Sequence, residues 1–226
     1  MDNYLNYNLE LNLDPEETDH LSDSSSIQTP LRPDAFEMTD EEKIERIATH
    51  FRAIMHTLGL DLTDDSLQGT PHRVAKMYVN EVFRGLNPDN KPHAKLFENR
   101  YAYNQMLVER DITIYSYCEH HFVPIIGKAH VAYIPDKNVV GLSKLNRIVQ
   151  YFAKRPQVQE RLTMQIADEL KQVLRTQNVA VYIEADHLCV MSRGVNDVGS
   201  STITTEFSGL FREDKYRQEF LQYVHK

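Results

Sequence analysis

Apolar residues follow two rhythms along this chain of 226 residues. The first is helical. Thr39 and Glu42 form a capping box, and Ile44, Ile47, Phe51, Ile54 and Leu58 follow at three- and four-residue intervals until Gly59, which predicts one amphipathic helix. Thr70-Pro71 opens a second, carrying Val74, Tyr78 and Val82 as far as Gly85. Then the period drops to two. Ile112 and Ile114 alternate with polar neighbours, as do Ala129, Val131 and Tyr133, and both stretches read as strands. Ser143 is placed to cap a helix bearing Leu145, Ile148, Val149 and Phe152 before Pro156. Val158, Leu162, Ile166, Leu170 and Leu174 recur every four residues in a long helix. Val179, Val181 and Ile183 mark a further strand, the Thr-rich run from Ser201 to Phe211 another, and Tyr216, Phe220 and Val224 a last helix.

This order predicts an α+β fold, with helices packed on one face of a mainly antiparallel sheet. Residues 1–28 are Asn-, Asp- and Ser-rich without a period and read as an acidic, disordered tail. A helical region, 29–110, and a region of alternating strands and helices, 111–226, are expected to follow.

Charge sharpens that division. Of the formal net charge of −8, the first 42 residues hold twelve of the 33 acids and one base, Arg32; the body from Lys43 onward has 24 bases against 21 acids. An anionic small molecule is therefore not repelled by the body. No Lys/Arg run interleaved with aromatics suggests nucleic acid, and no apolar run is long enough for a membrane span. A cytoplasmic setting is expected, where two cysteines, Cys118 and Cys189, suit a metal or catalytic role better than a disulfide.

Cys118-Glu119-His120-His121 separates a thiolate and an imidazole by two residues, a zinc-ligand spacing, just after a predicted strand. His187 precedes Cys189 by two, which in a strand would put both on one face. Two cysteines and one histidine would leave a coordination position for water, whose pKa a catalytic zinc lowers to about 7. A fourth ligand, His120 or His187, would instead close the site and make it structural. Spacing leaves both open.

Two basic clusters sit at helix starts, where free N–H groups favour phosphate: Arg73 with Lys76, and Ser143 with Lys144 and Arg147. A P-loop is absent. Gln159 and Glu160 open the long helix; an acid there suits the helix dipole and could equally accept hydrogen bonds from guanine.

Thr70-Pro71-His72-Arg73-Val74-Ala75-Lys76-Met77-Tyr78, Tyr117-Cys118-Glu119-His120-His121, Gly141-Leu142-Ser143-Lys144-Leu145-Asn146-Arg147, Arg155-Pro156-Gln157-Val158-Gln159-Glu160-Arg161 and His187-Leu188-Cys189 together resemble the GTP cyclohydrolase I family, in its order and spacing. The resemblance runs from about Thr29 to the C-terminus. It implies a tunnelling fold, whose sheets join into a barrel shared by subunits, and a homodecamer of two pentamers with active sites at subunit interfaces. It implies Zn2+ on Cys118, His121 and Cys189, leaving His120 and His187 for proton transfer, with Ser143 also at the catalytic site. Triphosphate would rest on Ser143, Lys144, Arg147 and Arg193, with Arg73 and Lys76 from a neighbouring subunit, and Glu160 with Gln159 would hold guanine. The implied reaction opens the guanine ring of GTP at carbon 8, releases formate and yields dihydroneopterin triphosphate, the first step of tetrahydrofolate biosynthesis.

Overall fold

The computed structural model describes residues 27–93 and 95–225. The acidic tail expected over 1–28 lies outside them except for Ile27 and Gln28. Helix α1 (Asp40–Thr57) begins at the expected capping box: the Thr39 hydroxyl accepts from the Glu42 N–H, and the Glu42 carboxylate accepts from the Thr39 N–H at 2.8 Å. Gly59, at φ +82°, turns the chain out of the helix.

Helix α2 (Thr70–Met77) is shorter than its apolar pattern predicts. It widens into a π-turn at Tyr78–Val82, closed by the Phe83 N–H on the Tyr78 carbonyl. The wider turn brings the rings of Tyr78 and Phe83 within 5.4 Å and sets both against Phe122. Side-chain packing here outweighs the regular helical period.

Short strands β1 (Leu96–Glu98) and β4 (Asn138–Val140) form a two-stranded ladder. The main sheet contains β2 (Leu107–Cys118), β3 (Pro124–Tyr133), β5 (Pro156–Gln157), β6 (Val179–His187) and β7 (Thr202–Phe207), in the order β5-β2-β3-β6-β7. Only β5 and β2 run parallel. On one face lie α3 (Leu142–Ala153) and α4 (Gln159–Leu174). Their stripes, Leu145, Ile148 and Val149 on α3 and Leu162, Ile166 and Leu170 on α4, close over Ile114, Ile125, Val131, Val181 and Ile183. Burying each such side chain contributes roughly 1.5–3 kcal/mol, so this layer holds the sheet in one register. The alternate residues Ala132, Ala180 and Tyr182 face the other way, where α6 (Asp214–Val224) covers one end through Phe220.

Two details depart from expectation. Gly141, not Ser143, occupies the N-cap of α3; its extended backbone leads in, and Ser143 lies within the first turn without a capping bond. The Thr-rich strand stops at Phe207, after which Gly209–Arg212 forms a 3-10 turn.

On the α6 side, His130 is buried, stacks edge-on against Tyr182 at 5.7 Å and accepts the Asp111 N–H on Nδ1 at 3.4 Å. Burial pulls its proton affinity below the ordinary 6.5, against a smaller opposing pull from Asp111. The unfolded chain therefore takes up this proton first as pH falls, so the native state loses stability on acidification below about 6.5. His130→Gln should flatten the dependence of the urea midpoint on pH between about 7 and 5. An unchanged slope would remove His130 as a source of acid sensitivity.

Candidate metal centre and active site

Cys118 is the last residue of β2 and is buried. The loop Glu119–Phe122 is clamped at its base, because the Cys118 N–H bonds to the Val123 carbonyl and the Phe122 N–H to the Cys118 carbonyl, both at 2.9 Å. Phe122 adopts φ +52°, an uncommon conformation for a bulky side chain. Its ring is held by Phe83 at 5.0 Å and Tyr78 at 6.3 Å. Aromatic packing thus sustains a tight loop that presents two adjacent imidazoles: His120 Nδ1 lies 3.6 Å, and His121 Nδ1 3.8 Å, from the Cys118 sulfur.

The third element arrives from β6. Ile125 pairs with His187, so β6 ends beside the β2–β3 loop. The strand does not continue to Cys189, as the two-residue spacing suggested. It stops at His187, and the four-residue α5 (Leu188–Met191) turns Cys189 inward. A helical turn rotates successive side chains by about 100° instead of 180°, so Cys189 and His187 are not on one strand face. The ligand atoms of Cys118, His121 and Cys189 all lie within 4.8 Å of one another. Two sulfurs and one imidazole nitrogen suit a borderline-soft divalent ion such as zinc, and three protein ligands leave one coordination position open. Burial, reinforced by the adjacent Cys118 thiol, raises the proton affinity of the Cys189 thiol. A cation between the sulfurs would reverse that.

The remaining expected residues separate into groups. Arg193 donates to His121 Nε2 at 2.8 Å and so belongs to the metal end. Glu160 is exposed on the first turn of α4, close enough for its charge to act on His187. Burial nevertheless pulls His187 below its ordinary proton affinity. Gln159, expected beside guanine, is only 1% exposed, and its amide oxygen lies 2.7 Å from His187 Nε2. Arg73 and Lys76 lie on α2, whose π-turn packs on Phe122; the Arg73 guanidinium donates to the Ser66 carbonyl and the Thr70 hydroxyl, each at 2.8 Å.

Ser143, Lys144 and Arg147 are elsewhere. Asn146 donates to Glu109 at 3.1 Å and Gln150 to the Thr113 carbonyl, so α3 runs alongside β2 in the same direction. Its N-terminal half is therefore near Glu109, toward the end of β2 away from Cys118. Lys144 and Arg147 line a cavity of about 530 Å3 there, with Arg84, Lys91 and His93.

The sequence reading passed over one ion pair. Glu119, inside the Cys-x-x-His motif, binds Arg161 through both guanidinium nitrogens, Nη2 at 3.2 Å, with both side chains largely covered. It ties the loop to the first turn of α4. Both residues stand inside the segments that carry the family resemblance, yet nothing local announces that they meet.

Fold and site together define an α+β protein with a Cys-His-Cys group able to hold a metal ion at one end of its sheet. A family model described as GTP cyclohydrolase I matches residues 47–225. GTP cyclohydrolase 1 of Flavobacterium johnsoniae is 60% identical over 201 residues, 89% of this chain and 90% of that one. The proteins of the same name from Citrobacter koseri and Salmonella arizonae are each 55% identical over 199 residues, 88% of this chain and 90% of theirs. The chain belongs to the GTP cyclohydrolase I family, and its sheet with covering helices is that family's tunnelling fold. The apo archaeosine synthase QueF-Like aligns with 47% of this chain and 94% of its own at 18% identity and a TM-score of 0.38, a likeness too loose to bear on the site.

Because the Glu119–Arg161 pair is largely covered, removing one partner strands the other. Arg161→Ala and Glu119→Ala should each lower the urea midpoint, and a double-mutant cycle should return a coupling of about 0.5–3 kcal/mol. A coupling near zero would mean the loop does not depend on α4.

Proposed function

We propose that this chain carries out the reaction for which its relatives are named: hydrolytic opening of the guanine imidazole ring of GTP at carbon 8, loss of formate, and rearrangement to dihydroneopterin triphosphate at the head of tetrahydrofolate biosynthesis. The observation that carries this reading is the convergence of Cys118, His121 and Cys189 within 4.8 Å, flanked by His120 and His187, in a hydrolase 60% identical to a GTP cyclohydrolase 1. The donor set fits Zn2+, which when bound supplies Lewis acidity and an activated water at neutral pH.

Each side chain then has a task set by its chemistry. His120, on the exposed side of the loop, is placed to give a proton to guanine nitrogen 7 as that atom gains electron density. Glu160 offers only acceptors, matching the N–H groups of guanine's amino edge; adenine presents an acceptor at the same ring position and leaves the pair unsatisfied. His187 serves as acid and base in the later ribose steps. Arg193 meets the triphosphate from the metal side.

The separation of Ser143, Lys144 and Arg147 from the metal group supports a shared site, in which a neighbouring subunit supplies that cluster. Open edges support the same assembly. Strand β7 forms one edge of the main sheet and Ile203 on it is 53% exposed, while Ile54 on the apolar stripe of α1 is 51% exposed. The homodecamer of two pentamers that the family resemblance implies is the assembly we propose, and these open surfaces are consistent with it. No helix among the described residues is long and apolar enough to cross a membrane, and free cysteines at the metal group suit the reducing cytoplasm.

Purified, zinc-loaded protein incubated with GTP should release formate and give a pterin fluorescent after oxidation; absence of both would overturn the reading. Cys118→Ala and Cys189→Ala should lose zinc together with activity. His120→Ala should keep zinc and lose roughly 10²–10⁴-fold in turnover. Full zinc in either cysteine variant, or zinc loss in His120→Ala, would reassign the ligands. Cys118→Ala and Lys144→Ala, each inactive alone, should partly recover activity when dissociated and reassembled together. Failure of the mixture, with wild type recovering under the same protocol, would place Lys144 outside a shared site.

A further inference from the structure

The amide of Gln159 is bonded on every side, and the pattern fixes where a proton sits. Gln159 opens α4 and is buried. Its Nε2 lies 3.2 Å from the Ile183 carbonyl on β6 and 2.9 Å from the Thr202 carbonyl on β7. Carbonyl oxygens only accept, so the NH2 group must face them and spends both hydrogens there. Turning the amide over would set its oxygen against two other oxygens with no hydrogen between them. The chemistry of the surroundings therefore decides the orientation, independently of how well nitrogen and oxygen are told apart.

With the orientation settled, Oε1 faces His187 Nε2 at 2.7 Å. Oε1 has no hydrogen to give. The hydrogen in that contact must come from the imidazole. We infer that Gln159 is a positioning residue that holds His187 with its proton on Nε2, so that Nδ1 is the nitrogen that exchanges protons with substrate.

This rests on the acid–base role given to His187 above and adds which nitrogen performs it. Nδ1 takes one proton from the substrate and returns it in a later step, while the Nε2 proton stays on the imidazole, donated to Gln159 Oε1 throughout. When the ring is cationic, the Nε2–H···Oε1 bond becomes charge-assisted and shorter, so the same contact supports both states. The anchor is rigid because Gln159 bonds two adjacent strands, and the neighbouring turn of α4 is tied to the same edge by the hydroxyls of Thr163 and Thr204, 2.7 Å apart. A free imidazole would rotate and interchange its two nitrogens; this one is held in one setting. It follows that Gln159 has no hydrogen left for guanine and that base recognition falls to Glu160.

The test uses zinc-loaded, full-length enzyme. Gln159→Met keeps the length of the side chain and removes its polar atoms. It should retain zinc and oligomeric state, leave KM for GTP within about threefold, and lower kcat by more than about tenfold, short of or equal to the loss in His187→Ala. In the His187→Ala background the same substitution should cost nothing further, because Gln159 acts only through the imidazole. A raised KM with unchanged kcat, or losses that add in the double variant, would overturn the inference and return Gln159 to the base pocket. If His187→Ala turns over like wild type, the acid–base reading of His187 fails and this inference with it; if His187→Ala is impaired while Gln159→Met is not, this inference fails alone. Should Gln159→Met not assemble, solid-state NMR of wild-type enzyme labelled with 15N-histidine decides, with His187 identified by its loss in His187→Ala. A protonated Nε2 is expected, and a bare Nε2 overturns the assignment.

Discussion

Strand β3 pairs Tyr117 with Pro124 on one side and Ile125 with His187 on the other. Those registers bring the last residue of β2 and the last residue of β6 to the same end of the sheet, although 69 positions separate Cys118 from His187 along the chain. The metal group exists because of that coincidence. A slip by one residue would turn every side chain of a strand to the other face and send Cys118 away from Cys189. The helices α3 and α4 guard against it, since the buried Ile and Val residues of β2, β3 and β6 fit their stripes in one register only.

Around this junction the chain accepts local costs that packing and polar bonds offset. Phe122 holds a left-handed backbone that bulky residues rarely adopt, and an aromatic cluster of Tyr78, Phe83 and Tyr117 supports it. The π-turn that follows α2, with the Phe83 that closes it, supplies two of those rings. Glu119 and Arg161 join the loop to α4, and Gln159 joins α4 to His187. The Cys118–Phe122 loop, His187 and the start of α4 are thus one connected unit. Burial and the adjacent Cys118 thiol favour the protonated form of Cys189, a preference that a cation held between the sulfurs would reverse.

The basic side chains proposed for phosphate follow a different logic. A single chain keeps Lys144 and Arg147 beside a cavity lined by further basic residues, toward the end of β2 away from Cys118, while Arg193 remains with His121. Each part is made where its helix or strand needs it, and assembly would bring unlike ends of neighbouring chains together. The edge strand β7 and the half-covered stripe of α1 are left open to such contacts.

Local periodicity determined most of the elements. The capping box at Thr39, the four-residue stripe of α4 and the alternation in β2, β3 and β6 depend on neighbours a few residues apart, and each element lies where its pattern put it. The Cys-x-x-His motif, together with the resemblance it belongs to, likewise named the three residues that converge. Tertiary structure decided the rest. The π-turn ended α2 early because ring packing outweighed helical period, and α5 took Cys189 off the strand face that its spacing suggested. That Gln159 bonds His187, and that Glu119 meets Arg161, follows from strand register and from the angle at which α4 crosses the sheet. Such contacts join residues distant in sequence, and they depend on how whole elements pack, which no short window of the chain contains.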